Sequence, residues 1–216
     1  MKTFKELKLK SSQQNLRSVL SNIIANVPVG WLYRKDMVAN YSKNVSKELN
    51  DVGCFESPEI MNEKALVWLV IWEGEMKVAN IVPITSTSIG FDNYNAILDA
   101  FYNNCVQNWA IAAKVEVILT TGEYNVEQIA GPNTFAALLA WENNCNYVTA
   151  NTNPHDFDRW AEFITIAFTE KSKLSSELLR RWLIEEQGWA DDDIVSKLVI
   201  DYEYGMSILD YYVKNH

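Results

Sequence analysis

The sequence predicts an α+β fold: a mixed or antiparallel sheet around a central hairpin (65–84), flanking helices, and an all-helical C-terminal third. Three observations carry this. The run ALVWLVIW at 65–72 is almost continuously apolar, as a central strand covered on both faces requires. Glu73, Gly74, Glu75 and Met76 read as a tight connection, with KVANIVPI at 77–84 returning as the hairpin partner. Beyond residue 153 the apolar residues recur at helical spacing, and eight Gly and five Pro in the whole chain favour long regular elements over many turns.

Each element has its own signal. Residues 3–10 alternate, with Phe4, Leu7 and Leu9 apolar, and read as a short strand. Leu16, Val19, Leu20, Ile23 and Ile24 place a helix over 12–27, which Pro28 ends before Gly30 turns the chain into a short strand at 31–35. Residues 36–64 are mixed and polar, with a short helix near 38–49 and a turn at Ser57-Pro58. Pro83 puts the end of the second hairpin strand at an edge or a sheet exit. Tyr94, Ile97, Leu98, Phe101, Cys105 and Trp109 form one stripe of a helix over 91–112, with Asp92 as its N-cap. VEVILTT at 115–121 is a strand with Val115, Val117 and Leu119 on one face, and Pro132 opens a helix over 132–144.

Three helices follow. Phe157, Trp160, Ala161, Ile164, Ala167 and Phe168 mark the first, and Leu178, Leu179, Trp182 and Leu183 the second. Val195, Leu198, Val199, Tyr202, Met206, Leu209 and Val213 mark the third. Ser175 suits an N-cap with Leu174 and Leu179 as a hydrophobic staple, and Gly188 sits at the C′ position of that same helix. The expected organisation is a single domain, 1–216, in which an α/β core (1–150) carries a helical C-terminal subdomain (153–216) packed on it.

Composition narrows the class. A chain of 216 residues with 48% hydrophobic content and twenty-six aromatic side chains has a large core and is not disordered. No stretch approaches 18 uninterrupted apolar residues, and charges interrupt the N-terminus where a signal peptide needs an apolar run. Three widely spaced cysteines, Cys54, Cys105 and Cys145, are no disulfide framework, so a cytoplasmic location and reduced thiols are expected. The usage of Asn, Ile, Lys and Tyr suits an AT-rich, bacterial genome. The net charge of −9 is uneven: residues 1–50 hold nine basic and three acidic groups, while 51–216 hold ten and twenty-five. An acidic body disfavours nucleic acid and anionic lipid, and Lys2, Lys5, Lys8 and Lys10 are expected to pair with that acidity.

Candidate chemistry is sparse. His155 stands in TNPHDFDRW beside Asp156 and Asp158, a compact set of polar groups. The same residues read as a helix start: Asn153 caps, Pro154 takes the first position, and the two aspartates complement the positive helix end. Zinc would have to draw on Cys54, Cys105, Cys145 and His155, none of them in the close pairs that structural zinc sites use. Glu185, Glu186, Asp191, Asp192 and Asp193 lack the alternate spacing of a calcium loop, and the last three fit a helix start. No catalytic, metal or cofactor site is therefore expected.

The order helix, strand, strand, strand, helix, strand resembles that of restriction-type nuclease cores, in element order alone. Glu59 and the Glu75-Met76-Lys77 triplet would then supply two carboxylates for Mg²⁺ and a lysine beside the attacking water. The leading expectation is instead a non-catalytic protein-interaction module of inhibitor, immunity or regulatory type, with another protein as its partner. His155, Asp156, Asp158 and Trp189 are its candidate contact residues, and Trp31, Trp72 and Trp189, near element ends, are the tryptophans whose surface exposure is in question. A small-ligand binder, with its site between sheet and C-terminal helices, is the third reading.

Overall fold

The computed structural model describes residues 1–44 and 51–216, the backbone alone at 42–44, and divides into two compact units: Lys2–Glu123, and Tyr124–His216 with Met1.

The first unit is the α+β part. Strands β1 (Leu7–Lys10), β2 (Leu32–Tyr33), β3 (Val52–Glu56), β4 (Ala65–Trp72), β5 (Glu75–Pro83) and β6 (Glu116–Leu119) form one antiparallel sheet in the order β2-β3-β4-β5-β1-β6. Its helices are α1 (Gln13–Ala25), α2 (Lys35–Asn44) and α3 (Phe91–Phe101), the last running through a π-helical turn at Tyr102–Val106 into α4 (Gln107–Ala112). The apolar run of β4 has the expected cause. Ala65, Val67, Leu69 and Ile71 enter the main core with Leu16, Leu20 and Ile23 of α1 and Ile97, Leu98 and Phe101 of α3. Leu66 and Trp68, on the opposite face, join Val38 of α2 and Val52 and Cys54 of β3 in a smaller cluster. Full burial of a side chain such as Leu69 contributes about 1.5–3 kcal/mol.

Several local expectations change. Strand β3 lies in the stretch read as mixed and polar. Gly53 interrupts its β pattern because a Cβ there would lie 2.8 Å from the Phe55 ring and 3.0 Å from Leu20 of α1. The strand expected at 31–35 shrinks to Leu32–Tyr33, and the helix expected near 38–49 begins at Lys35, its residues 45–49 lying outside the described residues. Glu73 and Gly74, both at positive φ, make the whole hairpin turn, so Glu75 and Met76 belong to β5. Asp92 does not cap α3. Gly90 holds that position, and the Asp92 carboxylate accepts from Lys2 Nζ at 2.8 Å. The other N-terminal lysines are also paired within this unit: Lys5 with Asp99, Lys8 with Glu6 and Lys10 with Glu75.

The second unit is helical: α5 (Val126–Ala130), α6 (Pro132–Glu142), a 3-10 turn at Ala150–Thr152, α7 (Pro154–Thr169), α8 (Ser176–Arg181) with a π-helical turn at Trp182–Glu186, and α9 (Asp193–Asn215). Helix α5 has no counterpart in the sequence reading, although Asn125 caps it by accepting from the Gln128 N–H at 3.2 Å. Asn153 accepts from the His155 N–H and Ser175 from the Leu178 N–H, as the caps of α7 and α8. Gly188, at φ +74°, follows the π-helical turn that extends α8. Trp141, Trp160, Trp182 and Trp189 fill the core of this unit, with Trp141 4.5 Å from Trp160 and stacked on Trp189 at 5.4 Å. Tyr202 fixes α9 to α7 by stacking on Phe163 at 5.5 Å, and its hydroxyl donates to the Leu174 carbonyl at 2.8 Å. Among the described residues, no helix is long and apolar enough to cross a membrane.

Candidate functional site: an apolar groove between two helices

Helices α7 and α9 turn matching rows toward each other. Phe157, Trp160, Ala161, Ile164 and Thr165 of α7, and Asp201, Tyr204, Gly205, Ile208 and Leu209 of α9, both follow the spacing i, i+3, i+4, i+7, i+8 that defines one helix face. Between them lies a groove of about 370 Å³, open to solvent. Gly205 permits this approach, since a Cβ there would fall 2.8 Å from Ile164 Cγ2. Trp160 and Ile164 are buried beneath the groove, whereas Phe157, Tyr204 and Ile208 are 54%, 65% and 67% exposed. At 100° per residue, Tyr204, Ile208, Tyr211 and Tyr212 fall within about a quarter-circle of α9, so the apolar row continues past the groove. Tyr211 and Tyr212 are 69% and 60% exposed. A contiguous row of exposed large apolar side chains marks an interaction surface more often than a scatter of single ones does.

One acidic residue, Asp201, lines the groove; Asp158 lies two helical turns before Thr165 on α7, and Glu162 follows one turn after it toward solvent. Asp158 and Glu162 are exposed. Lys197, one turn before Asp201, is the cation on that side of α9 and lines an adjoining hollow of about 230 Å³ with Asp193 and Asp201.

The residues singled out in the sequence separate. Asp158 is exposed on α7, and His155 is exposed in the first turn of the same helix. Asp156 is buried and lies 2.5 Å from Arg159. Trp189 is buried in the core with Tyr147 edge-on at 4.7 Å, so neither it nor Asp156 presents a side chain at the surface. Trp31 is likewise buried, against Phe101, while Trp72 is exposed. Phe157 and Val213, which mark the apolar periodicity of their helices in the sequence, are exposed. The groove had a signal in the sequence: Ile200, Tyr204, Ile208 and Tyr211 form a second apolar stripe on α9, beside the one that packs inward.

The nuclease-like set does not converge. Glu75 pairs with Trp72 at one end of the β4–β5 hairpin, whereas Glu59 follows Ser57, whose N–H donates to the Ala65 carbonyl at the other end. The seven or so residues between put the two carboxylates on the order of 20 Å apart. Among the described residues, no three His, Cys, Asp or Glu side chains are placed to hold a metal ion. The acidic stretch is occupied by structure: Glu185 pairs with Arg181, Glu186 with the N-terminal ammonium and Asp191 with Arg180, while Asp192 caps α9. Burial pushes the Cys54, Cys105 and Cys145 thiols up to about 12, leaving them protonated and weakly nucleophilic at neutral pH.

No protein-family model, curated protein or solved structure matches the chain.

Proposed function

We propose that the protein is a non-catalytic, cytoplasmic interaction module, of inhibitor, immunity or regulatory type, that binds another protein through the α7–α9 groove. The observation that carries this reading is the exposed row of Phe157, Tyr204 and Ile208 at the groove, continued past it by Tyr211 and Tyr212. Aromatic side chains are enriched at interface cores because they bring large apolar area with few rotatable bonds. The protonated thiols and the separation of Glu59 from Glu75 and Lys77 favour binding over catalysis.

The test compares the protein with its Ile208→Asp variant as bait in an extract of its own cells. Ile208 is 67% exposed, so the variant keeps its stability within about 0.5 kcal/mol. A protein retained by the wild type and lost with the variant supports the reading. Identical retention on both baits contradicts it.

A further inference from the structure

Resting on that reading, we infer that the occupant of the groove is an amphipathic helix of another protein, with an apolar face flanked by lysine or arginine. Shape is the first argument. From Phe157 to Thr165 and from Asp201 to Leu209, each wall runs nine residues, about 12 Å at a rise of 1.5 Å per residue. Continuing to Tyr212 extends the α9 side to about 16 Å. A helix with anchors at i, i+3 or i+4, and i+7 spans about 10.5 Å and lays such a row along a groove of this kind. The groove is open to solvent, so a row of side chains can enter it from outside.

Charge is the second argument. Asp201 lines the groove, and Asp158 and Glu162 stand exposed on the solvent side of α7, while Lys197 is the cation one turn before Asp201 on α9. Residues 124–216 hold fifteen acidic and seven basic groups, a net −8, while residues 2–123 are nearly balanced with thirteen and twelve. Almost all of the chain's net negative charge therefore belongs to the unit that carries the groove. A second copy would bring the same −8 to the contact, and nucleic acid or anionic lipid would bring more negative charge still. A basic margin on the partner is attracted where these are repelled, and it positions the apolar anchors over Gly205 and Ile164.

Three synthetic helical peptides of equal length test this against the full chain by calorimetric titration. The first has an apolar i, i+3, i+4, i+7 face with lysine flanks, the second the same face with glutamate flanks, and the third lysine flanks with the apolar face replaced by serine. The lysine-flanked apolar peptide is expected to bind at least tenfold tighter than either of the others. Ile208→Asp should weaken it tenfold or more, and the triple variant Asp158→Asn, Glu162→Gln, Asp201→Asn should erase the preference between lysine and glutamate flanks. Equal binding of the two apolar peptides would overturn the basic-helix inference and leave the groove reading standing. Apolar-peptide binding that ignores Ile208→Asp would overturn both. A dimer of the full chain in sedimentation velocity that Ile208→Asp dissolves would make a second copy the occupant, and would also overturn the inference.

Discussion

Gly205 of α9 meets Ile164 of α7 so closely that a Cβ on the glycine would stand 2.8 Å from Ile164 Cγ2 and 3.0 Å from its Cδ1. The φ angle of Gly205 is not in the left-handed region, so the constraint is space and not backbone conformation. Gly205→Ala gains about 1 kcal/mol of helix propensity. It also forces an overpacked contact against a buried, β-branched side chain, at about 1–3 kcal/mol. The expected outcome in urea denaturation is a net loss of about 1 kcal/mol, where an unconstrained helical glycine would show a gain.

In the sheet, Leu69 is fully buried at the middle of β4, with neighbours from α1 and α3 in the same core. Leu69→Ala should lower the unfolding free energy by about 2–4 kcal/mol through loss of transfer energy and the cavity left behind. Gly53→Ala, on the adjacent strand, should cost about 1–3 kcal/mol because its Cβ meets the Phe55 ring and Leu20. Both values come from the same denaturation series.

These positions show what was legible in the sequence. Strand β4 announced itself because both of its faces are covered and every residue in it is apolar or aromatic. Strand β3 is also buried, but it is five residues long and contains Gly53, which exists for the approach of α1 and lowers the local β signal. The close packing that demands the glycine is long-range and leaves no mark next to it in the chain. The caps at Asn153 and Ser175 were readable because capping is local, while Asp192 was legible only as part of an acidic helix start. Trp189 was misread as a surface residue because its place near an element end says nothing of Trp141 and Tyr147, which cover it. The groove was half legible: its α9 stripe is periodic in the sequence, while its partner row on α7 is shared with the inward face of that helix.

At the start of α7, the Asn153 side chain accepts from the His155 N–H at 3.0 Å, while the His155 ring is exposed. Asn153→Ala should therefore cost about 1 kcal/mol. His155→Ala should stay within about 0.5 kcal/mol. Thermal melts of the two variants check the ranking, and a larger effect at His155 would point to a role for its ring beyond the helix start.

Stability should fall in alkali. Burial holds the Cys54, Cys105 and Cys145 thiols and the Tyr202 phenol up to about 12, each in its neutral, protonated form. In the unfolded chain these groups titrate near their ordinary values, roughly 8.5–10. Above about pH 9 the unfolded state thus binds fewer protons than the folded state, and the folded state loses ground as the pH climbs toward about 12. Below that window these groups contribute no pH dependence. Urea midpoints across pH 8–11 should decline, and iodoacetamide at pH 8 should label the thiols slowly in the native protein and rapidly in denaturant.

The most direct measurement of the central claim is site-specific photocrosslinking in living cells. A photoreactive amino acid replaces Ile208 or Tyr211 in the exposed row, or Lys77, an exposed residue of β5, as the control. The interaction-module account predicts a discrete adduct with another protein from positions 208 and 211 and none from 77. An adduct from 77 alone, or no adduct from either groove position, would contradict it.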